Sequence, residues 1–519
     1  MNVKPFGRAV LASAVLCSTA LIAQAPMPAA QPGPGANPAA PTATRRMGMP
    51  MKPNTLPYDL ILAGGHVVDA KNHIDGIKDV GIKDGKVVTV GTNLKAADAL
   101  KTIDVKGMWV SPGLIDLHTH VYTGTGEKGS YAGDNSVYPD GFTLRNGVTT
   151  IVDAGSSGYK NFDDFKDKII DRSITRVLAE LNIVGSGMRG GKYEDNLDDM
   201  DGKATGDFAL KYPGVVVGIK SAHFNGPEWK PYEQAVIAGN IANIPVMIDY
   251  GARRIERPLY DLVTKYLRPG DIYTHCFAGN RGEQDAETGG PSKALIDMRK
   301  RGIYCDIGHG GGSFAFSVAA PIMRAGYKPD SISTDLHITS MNGSMKDILN
   351  VADKFLLMGE TIPEVLTQMT ANPAHEIKQD QLGNLSPGAI ADVAVFSVEK
   401  GNFGFFDMFG ARAVGHEKLI CELTIKDGKI VYDLNAIEFD NWDAPKHTSD
   451  PAMTRHWSTF SERPFGVQQS ARWPVWIPPS QKNTHEEGPP DRYNMRAPAT
   501  TPETAKPNPG DPNTPAPPK

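Results

Sequence analysis

The chain has 519 residues, more than a single hydrophobic core usually serves, so its length predicts one large domain with a smaller companion. With 40% hydrophobic residues it can bury a substantial core, and a net charge of -5 gives it no basic face for nucleic acid, which is set aside as a partner. Four cysteines over this length do not make a disulfide framework.

In chain order, Lys4 and Arg8 precede an apolar run over residues 9–23, and Ala23-Gln24-Ala25 has the small-x-small form of a cleavage site. Residues 1–25 therefore read as a secretory signal peptide, and the expected location is periplasmic or secreted. The run is shorter than the roughly 20 residues needed to span a bilayer, so no integral membrane segment is expected after cleavage. Cleavage would remove Cys17 and leave Cys276, Cys305 and Cys421, an odd set that suits buried thiols and leaves a Cys276–Cys305 bridge open. Residues 26–57 form a Pro-rich linker and residues 436–519 an extended Pro-rich tail, without the apolar periodicity of a packed core.

Residues 58–110 alternate apolar runs with turns: Asp59-Leu60-Ile61-Leu62, Gly64-Gly65, His66-Val67-Val68-Asp69, then Lys83-Asp84-Gly85. Residues 381–435 repeat this chemistry, Lys426-Asp427-Gly428 included, so the two segments are expected to build one small composite β-sandwich domain. Between them, residues 111–380 hold eight candidate strands, at 114–120, 148–153, 176–184, 215–220, 245–250, 271–275, 302–307 and 331–335. The intervening stretches 232–243, 257–267, 293–301 and 314–325 have helical length and spacing. This alternation predicts an α/β fold with a (β/α)8 barrel as the leading architecture and a doubly wound open sheet as its rival. Histidine, lysine and aspartate fall at the C-terminal tips of the apolar runs, the end where a barrel builds its active site.

The most informative segment is Ser111-Pro112-Gly113-Leu114-Ile115-Asp116-Leu117-His118-Thr119-His120. Side chains alternate along a strand, so Asp116, His118 and His120 share a face, and two neutral imidazoles there suit a metal such as zinc.

This segment resembles the amidohydrolase superfamily, metal-dependent hydrolases built on a (β/α)8 barrel. The likeness continues through Gly147-Val148-Thr149-Thr150-Ile151-Val152-Asp153-Ala154-Gly155, Gly218-Ile219-Lys220, Thr274-His275-Cys276, Asp306-Ile307-Gly308-His309-Gly310, Ser333-Thr334-Asp335-Leu336-His337 and the late stretch Gly383-Asn384-Leu385-Ser386-Pro387-Gly388-Ala389-Ile390-Ala391-Asp392-Val393. It is closest to the deacetylase and dihydroorotase-like branch.

The resemblance implies one or two zinc ions held by His118, His120, Lys220, His275, Asp335 and, where the pattern departs from the family's histidine, Asp249. It implies a carboxylated Lys220 bridging two metals, for which burial must keep the amine neutral. It also implies hydroxide on the metal as nucleophile, with Asp335 as the catalytic residue that carries its proton to the departing amine. Asp249 is left open as ligand or bystander, and with it the choice between one metal and two. The Gly308–Gly312 loop reads as facing substrate, His223 and His337 as contacts to substrate, supports of the ligands or simply hydrogen-bonded loop histidines, and Arg189 and Arg253 as partners for a substrate carboxylate or as solvated side chains.

The expected function is deacylation of a small-molecule N-acyl amine or amino acid. The alternatives are ring opening of a cyclic amide of the dihydroorotate or hydantoin kind and, in another class, a non-catalytic exported protein that binds metal or ligand. Homo-oligomerisation stays open.

Overall fold

The structure is a computed structural model that describes residues 54–251 and 253–439. The expected signal peptide, all of the linker before residue 54 and the tail after residue 439 lie outside the described residues. Residues 58–112 form β1 (Tyr58–Asp69), β2 (Ile74–Lys83), β3 (Lys86–Gly91), β4 (Ala99–Asp104) and β5 (Trp109–Pro112). The middle of the chain adds β6 (Leu114–Thr119), β7 (Val148–Gly158), β8 (Arg176–Asn182), β9 (Val216–Ser221), β10 (Val246–Ile248), β11 (Ile272–Tyr273) and β12 (Tyr304–Cys305). The late segment contributes β13 (Val393–Phe406), β14 (Arg412–Lys426) and β15 (Lys429–Asp433).

The fold is α/β with one mixed sheet and one parallel sheet. The mixed sheet takes eight strands from both ends of the described chain, in the order β15-β14-β13-β5-β1-β2-β3 with β4 beside β1. Two expectations are corrected here. Gly64-Gly65 is not a turn, because β1 runs through it and its pairing with β2 shifts register between Leu62 and Gly65, a bulge rather than a chain reversal. The apolar run over residues 385–396 also predicts a strand from Leu385, but the strand begins at Val393 and residues 385–392 run as loop and bridge. Both Asp-Gly pairs do form tight turns, with positive φ at Asp84, Gly85, Asp427 and Gly428. Leu60, Val67, Val80, Ile82, Val393 and Leu423 pack into one apolar cluster across the sheet.

The second sheet is parallel throughout, in the order β12-β11-β10-β9-β8-β7-β6. Its strands β6, β7 and β9 are buried along their whole length, as expected for a sheet covered on both faces. Residues 331–335 form no regular strand; they pair through single bridges, Asp306 with Ser331 on one side and Thr119 with Leu336 on the other. The backbone nevertheless binds both neighbours: Ile307 N donates to Ser331 O, and Leu336 N to His118 O.

Helices return the chain between strands. Helix Lys230–Ala242 has Pro231 in its first turn and ends on Asn243 in the left-handed region. Ser292 caps Lys293–Lys300 by accepting from Leu295 N. The expected helix at 257–267 is shorter, with Leu259–Asp261 running into a wider π turn at Leu262–Tyr266. No helix among the described residues is long and apolar enough to cross a membrane.

Candidate metal centre

The C-terminal ends of the parallel strands converge. His118 and His120 come from the end of β6, Lys220 from the end of β9, Asp249 and His275 from just after β10 and β11, and Asp335 from the 331–336 segment. All six are buried. Oδ1 of Asp335 lies 3.6 Å from His118 Nε2 and 3.0 Å from His120 Nε2. Ligand atoms of these three residues fall within 4.8 Å of one another. Two imidazole nitrogens and a carboxylate oxygen are donors that zinc and related divalent ions accept, so the residues fit a metal.

Each imidazole is held from behind. His118 Nδ1 lies 3.0 Å from the Thr274 hydroxyl, which itself donates to Asp306 Oδ2 at 2.6 Å. His120 Nδ1 lies 3.0 Å from Ser156 Oγ, and His275 Nδ1 meets the carbonyl of Gly308 at 2.6 Å. These contacts leave Nε2 of each ring facing the centre. Burial lowers the imidazole pKa to about 4 for His118 and about 3 for His120, which keeps both in the neutral form that binds metal. Burial opposes ionisation of Asp335, yet His337, His118 and His120 hold its carboxyl well below the usual range.

A second group surrounds Asp249. Its Oδ2 lies 3.1 Å from His223 Nε2 and 3.4 Å from His275 Nε2, while Arg281 Nη2 donates to Oδ1 at 3.0 Å. The far nitrogen of His223 meets Glu194 Oε2 at 2.6 Å, and the two carboxylates hold the His223 imidazole well above its ordinary pKa against the effect of burial. His223, His275 and Asp335 all have positive φ, at 56°, 63° and 50°. Such backbone costs roughly 1–3 kcal/mol per residue and collects at functional sites.

Lys220 is 1% exposed, with Nζ 3.0 Å from His118 Nε2 and 3.3 Å from Met247 Sδ. Burial lowers its pKa, opposed by Glu180 first among the carboxylates around it. Glu180, wholly buried, is pushed up to about 8.

A cavity of about 340 Å³ opens over this arrangement, lined in part by Tyr131, His223, Asp249, His275, Arg281 and Asp335. Gly308 makes the close packing beneath it possible, since with φ at 44° an added Cβ would stand 2.3 Å from Thr274 Oγ1 and 2.9 Å from His118 Nδ1.

Other expectations change. Asp116 accepts from the Thr334 backbone at 3.0 Å and from the Thr334 hydroxyl, and burial raises its carboxyl to about 7; it joins strands rather than facing the metal group. In the glycine loop, Gly311 and Gly312 line the cavity, but His309 is fully buried, stacked on Phe314 and 2.7 Å from Lys354 Nζ. His337 lines the cavity with Nδ1 3.4 Å from Asp335 Oδ1. Arg189 is paired through two 2.7 Å bonds with Glu127, which leaves it unsuited to a substrate carboxylate, and Arg253 is exposed. Cys276, Cys305 and Cys421 are buried free thiols, so the Cys276–Cys305 bridge is not formed.

Sequence reasoning missed Tyr131, Glu194, Arg281, Glu180 and Lys354 and gave Asp306 no role. Asp306 alone carried a signal, standing at a strand end inside a recognised motif.

No protein-family model matches the chain. A deacetylase of Brucella anthropi is 35% identical over 340 residues, which cover 63% of this chain and 81% of that protein. The chain belongs to the amidohydrolase superfamily. Among solved structures, this amidohydrolase is similar to one described as an adenine deaminase, with a TM-score of 0.66 and 28% identity over 73% of this chain and all of that one. A dihydroorotase structure matches with a TM-score of 0.62 and 29% identity over 72% of this chain and 99% of its own. The amidohydrolase is thus a metal-dependent hydrolase of carbon–nitrogen bonds other than peptide bonds. The non-catalytic binding-protein reading finds no support among these relatives.

Proposed function

We propose that this amidohydrolase removes the acyl group from a small N-acyl amine or N-acyl amino acid, working with zinc and a carboxylated Lys220. The observation that carries the reading is the convergence of His118, His120 and Asp335 beside Lys220 under a cavity sized for a small molecule. The similarity to a protein named deacetylase favours an acyl substrate over a cyclic one. When bound, a divalent ion supplies Lewis acidity, bringing water toward ionisation near neutral pH and polarising an acyl carbonyl.

The chain's own residues supply the rest. Asp335, held as a carboxylate, accepts the proton of the attacking water and delivers it to the leaving nitrogen. Lys220, whose pKa burial lowers against the pull of Glu180 and the other carboxylates around it, would in its neutral form add its nitrogen to carbon dioxide and release a proton, forming a carbamate able to bind metal. Tyr131 packs against His120, His223 and His337 and gives the cavity an apolar wall. In this reading the parallel sheet and the 331–336 segment make a (β/α)8 barrel over residues 111–380, flanked by a composite β sandwich from residues 58–110 and 381–435. The paired ladders and the shared apolar cluster support that arrangement. Export with cleavage near Ala25 follows from the basic and apolar start of the sequence, and N-terminal sequencing of the mature protein tests it.

A hydrolysis screen of acetylated amino and hydroxy acids beside dihydroorotate and hydantoins decides the substrate class. Turnover of acyl compounds is expected; turnover of cyclic compounds alone would replace deacylation with ring opening.

A further inference from the structure

We infer that Glu376 is a positioning residue for the metal centre: as a neutral carboxylic acid it donates to Ser331, which locks the Asp306 carboxylate that orients His118 through Thr274. This rests on the metal-dependent reading above and adds to it a residue from the other end of the parallel strands.

A buried chain of hydrogen bonds leads from the centre to that end. Nδ1 of His118 lies 3.0 Å from Thr274 Oγ1, which donates to Asp306 Oδ2 at 2.6 Å. Asp306 Oδ1 lies 2.9 Å from Ser331 Oγ, and the same hydroxyl lies 3.0 Å from Glu376 Oε2. Ser331 opens the 331–336 segment that carries Asp335 near its far end, and Glu376 closes helix Ala371–Glu376. Glu376 lines a separate cavity with Tyr304 and Asp330, where β12 begins, so its influence on the centre must travel through the chain.

The protons along this chain can be counted. With Nε2 of His118 offered to a metal, Nδ1 carries the ring proton and donates to Thr274, so the Thr274 hydroxyl proton goes to Asp306. Ser333 Oγ accepts from Gly308 N at 2.9 Å and donates to Asp306 Oδ2 at 2.8 Å. The Ser331 hydroxyl has one proton and stands between two carboxyl groups, so one of these carries a proton of its own. Among the described residues Asp306 meets three hydroxyls and Glu376 one. Oε1 of Glu376 is buried and has no hydrogen-bond partner among the described residues. An ionised Glu376 would hold charge out of water on an oxygen that nothing solvates. The neutral acid needs one acceptor for its O–H, and Ser331 Oγ supplies it. Burial, with Asp306 and Asp330 close by, also pushes the Glu376 carboxyl well above its ordinary range.

The consequence for the centre is orientational. With the Ser331 proton committed to Asp306, donors hold both oxygens of that carboxylate and keep it facing Thr274. Thr274 then accepts from Nδ1 of His118, the tautomer that leaves Nε2 for a divalent ion. Without the Glu376 proton, the Ser331 hydroxyl would turn to the Glu376 carboxylate and Asp306 Oδ1 would lose that donor.

The test is zinc affinity, by calorimetric titration of full-length protein, with infrared spectroscopy to read the proton. Glu376→Gln keeps an uncharged donor at Ser331, so its zinc affinity is expected to stay at the wild-type level. Glu376→Leu removes the donor and is expected to weaken zinc binding by roughly 10- to 100-fold. In a Thr274→Val background the chain is already cut, and Glu376→Leu is expected to add no further loss. The wild-type infrared spectrum at neutral pH should contain a protonated-carboxyl band that Glu376→Gln lacks. A Glu376→Gln that loses zinc as Glu376→Leu does overturns the proposal, because it assigns the role to an ionised carboxylate. Unchanged zinc affinity in Glu376→Leu, an undiminished loss in the Thr274→Val background, or absence of the band overturns it as well. Should Glu376→Leu fail to fold, Glu376→Gln and the band decide. A wild type that binds no zinc overturns the metal-dependent reading and this role with it, while the band, read without metal, tells the two failures apart.

Discussion

Oδ1 of Asp335 lies 3.0 Å from Nε2 of His120, and the same oxygen lies 3.6 Å from Nε2 of His118. One carboxylate thus stands at the edge of both imidazoles and of the cavity, where it can bind an ion and pass a proton. Asp335→Asn keeps the shape but removes the ionised oxygen. Its kcat is expected to fall by about 10²- to 10⁴-fold with little change in KM, read by steady-state kinetics. Wild-type kcat in this variant would remove Asp335 from proton transfer.

Lys220 offers a second check. Its amine is buried and its pKa lowered, so the neutral form is available to carbon dioxide. Protein stripped of metal and reloaded with zinc is expected to recover activity in bicarbonate and to recover poorly in buffer purged of carbon dioxide. Equal recovery in both buffers would rule out a carbamate. Lys220→Ala should lose activity under either condition.

Gly308→Ala tests the packing beneath the centre. The added carbon would crowd Thr274 Oγ1 and His118 Nδ1, at 2.3 and 2.9 Å, in a backbone region that alanine avoids. A displaced His118 ring is expected to cost roughly 100-fold in activity and to lower zinc content, while the far-ultraviolet circular dichroism stays that of the wild type.

The buried lysine of helix Ile348–Leu357 sets a pH dependence. Lys354 is fully buried, donates to His309 and to the Ser344 carbonyl at 2.7 Å each, and has a pKa lowered by burial from 10.5 to about 7. Above about pH 7 the folded chain has released a proton that the unfolded chain still holds. The stability linked to Lys354 therefore rises with pH from about 7 toward 10.5 and is absent below that window. Denaturant titrations of Lys354→Met across this range should lack the rise seen in wild type, whatever its constant loss from the missing hydrogen bonds. A parallel rise in both proteins would show that Lys354 keeps its charge when folded.

Much of the parallel sheet was legible because its strands are short apolar runs ending in polar side chains, as at Val216–Ser221, where Lys220 closes the run. His118 and His120 were legible for the same reason. Residues 331–335 fulfil the expected position but pair only by isolated bridges, a detail fixed by neighbours on both sides. Gly64-Gly65 misled because a glycine pair signals a turn as readily as a bulge, and only the partner strand decides between them. Glu194 and Arg281 could not be placed, since each acquires its role from a loop distant in sequence: Glu194 from His223, and Arg281 from Asp249. Lys354 is an ordinary helix lysine in the sequence, and only packing beneath His309 makes it unusual.

In the mixed sheet β5 lies between β1 and β13, with Val110 paired to Val395. While the protein is being made, Trp109–Pro112 has one neighbour available early and lacks the other until residues 393–396 have been synthesised. The nascent chain must carry an open β edge through the synthesis of the whole metal centre, and such edges invite pairing with other chains. A chain cut before Val393 therefore carries His118, His120 and Asp335 but has no β13 to cover the edge of β5. The final strands decide when the newly made protein becomes safe from its neighbours.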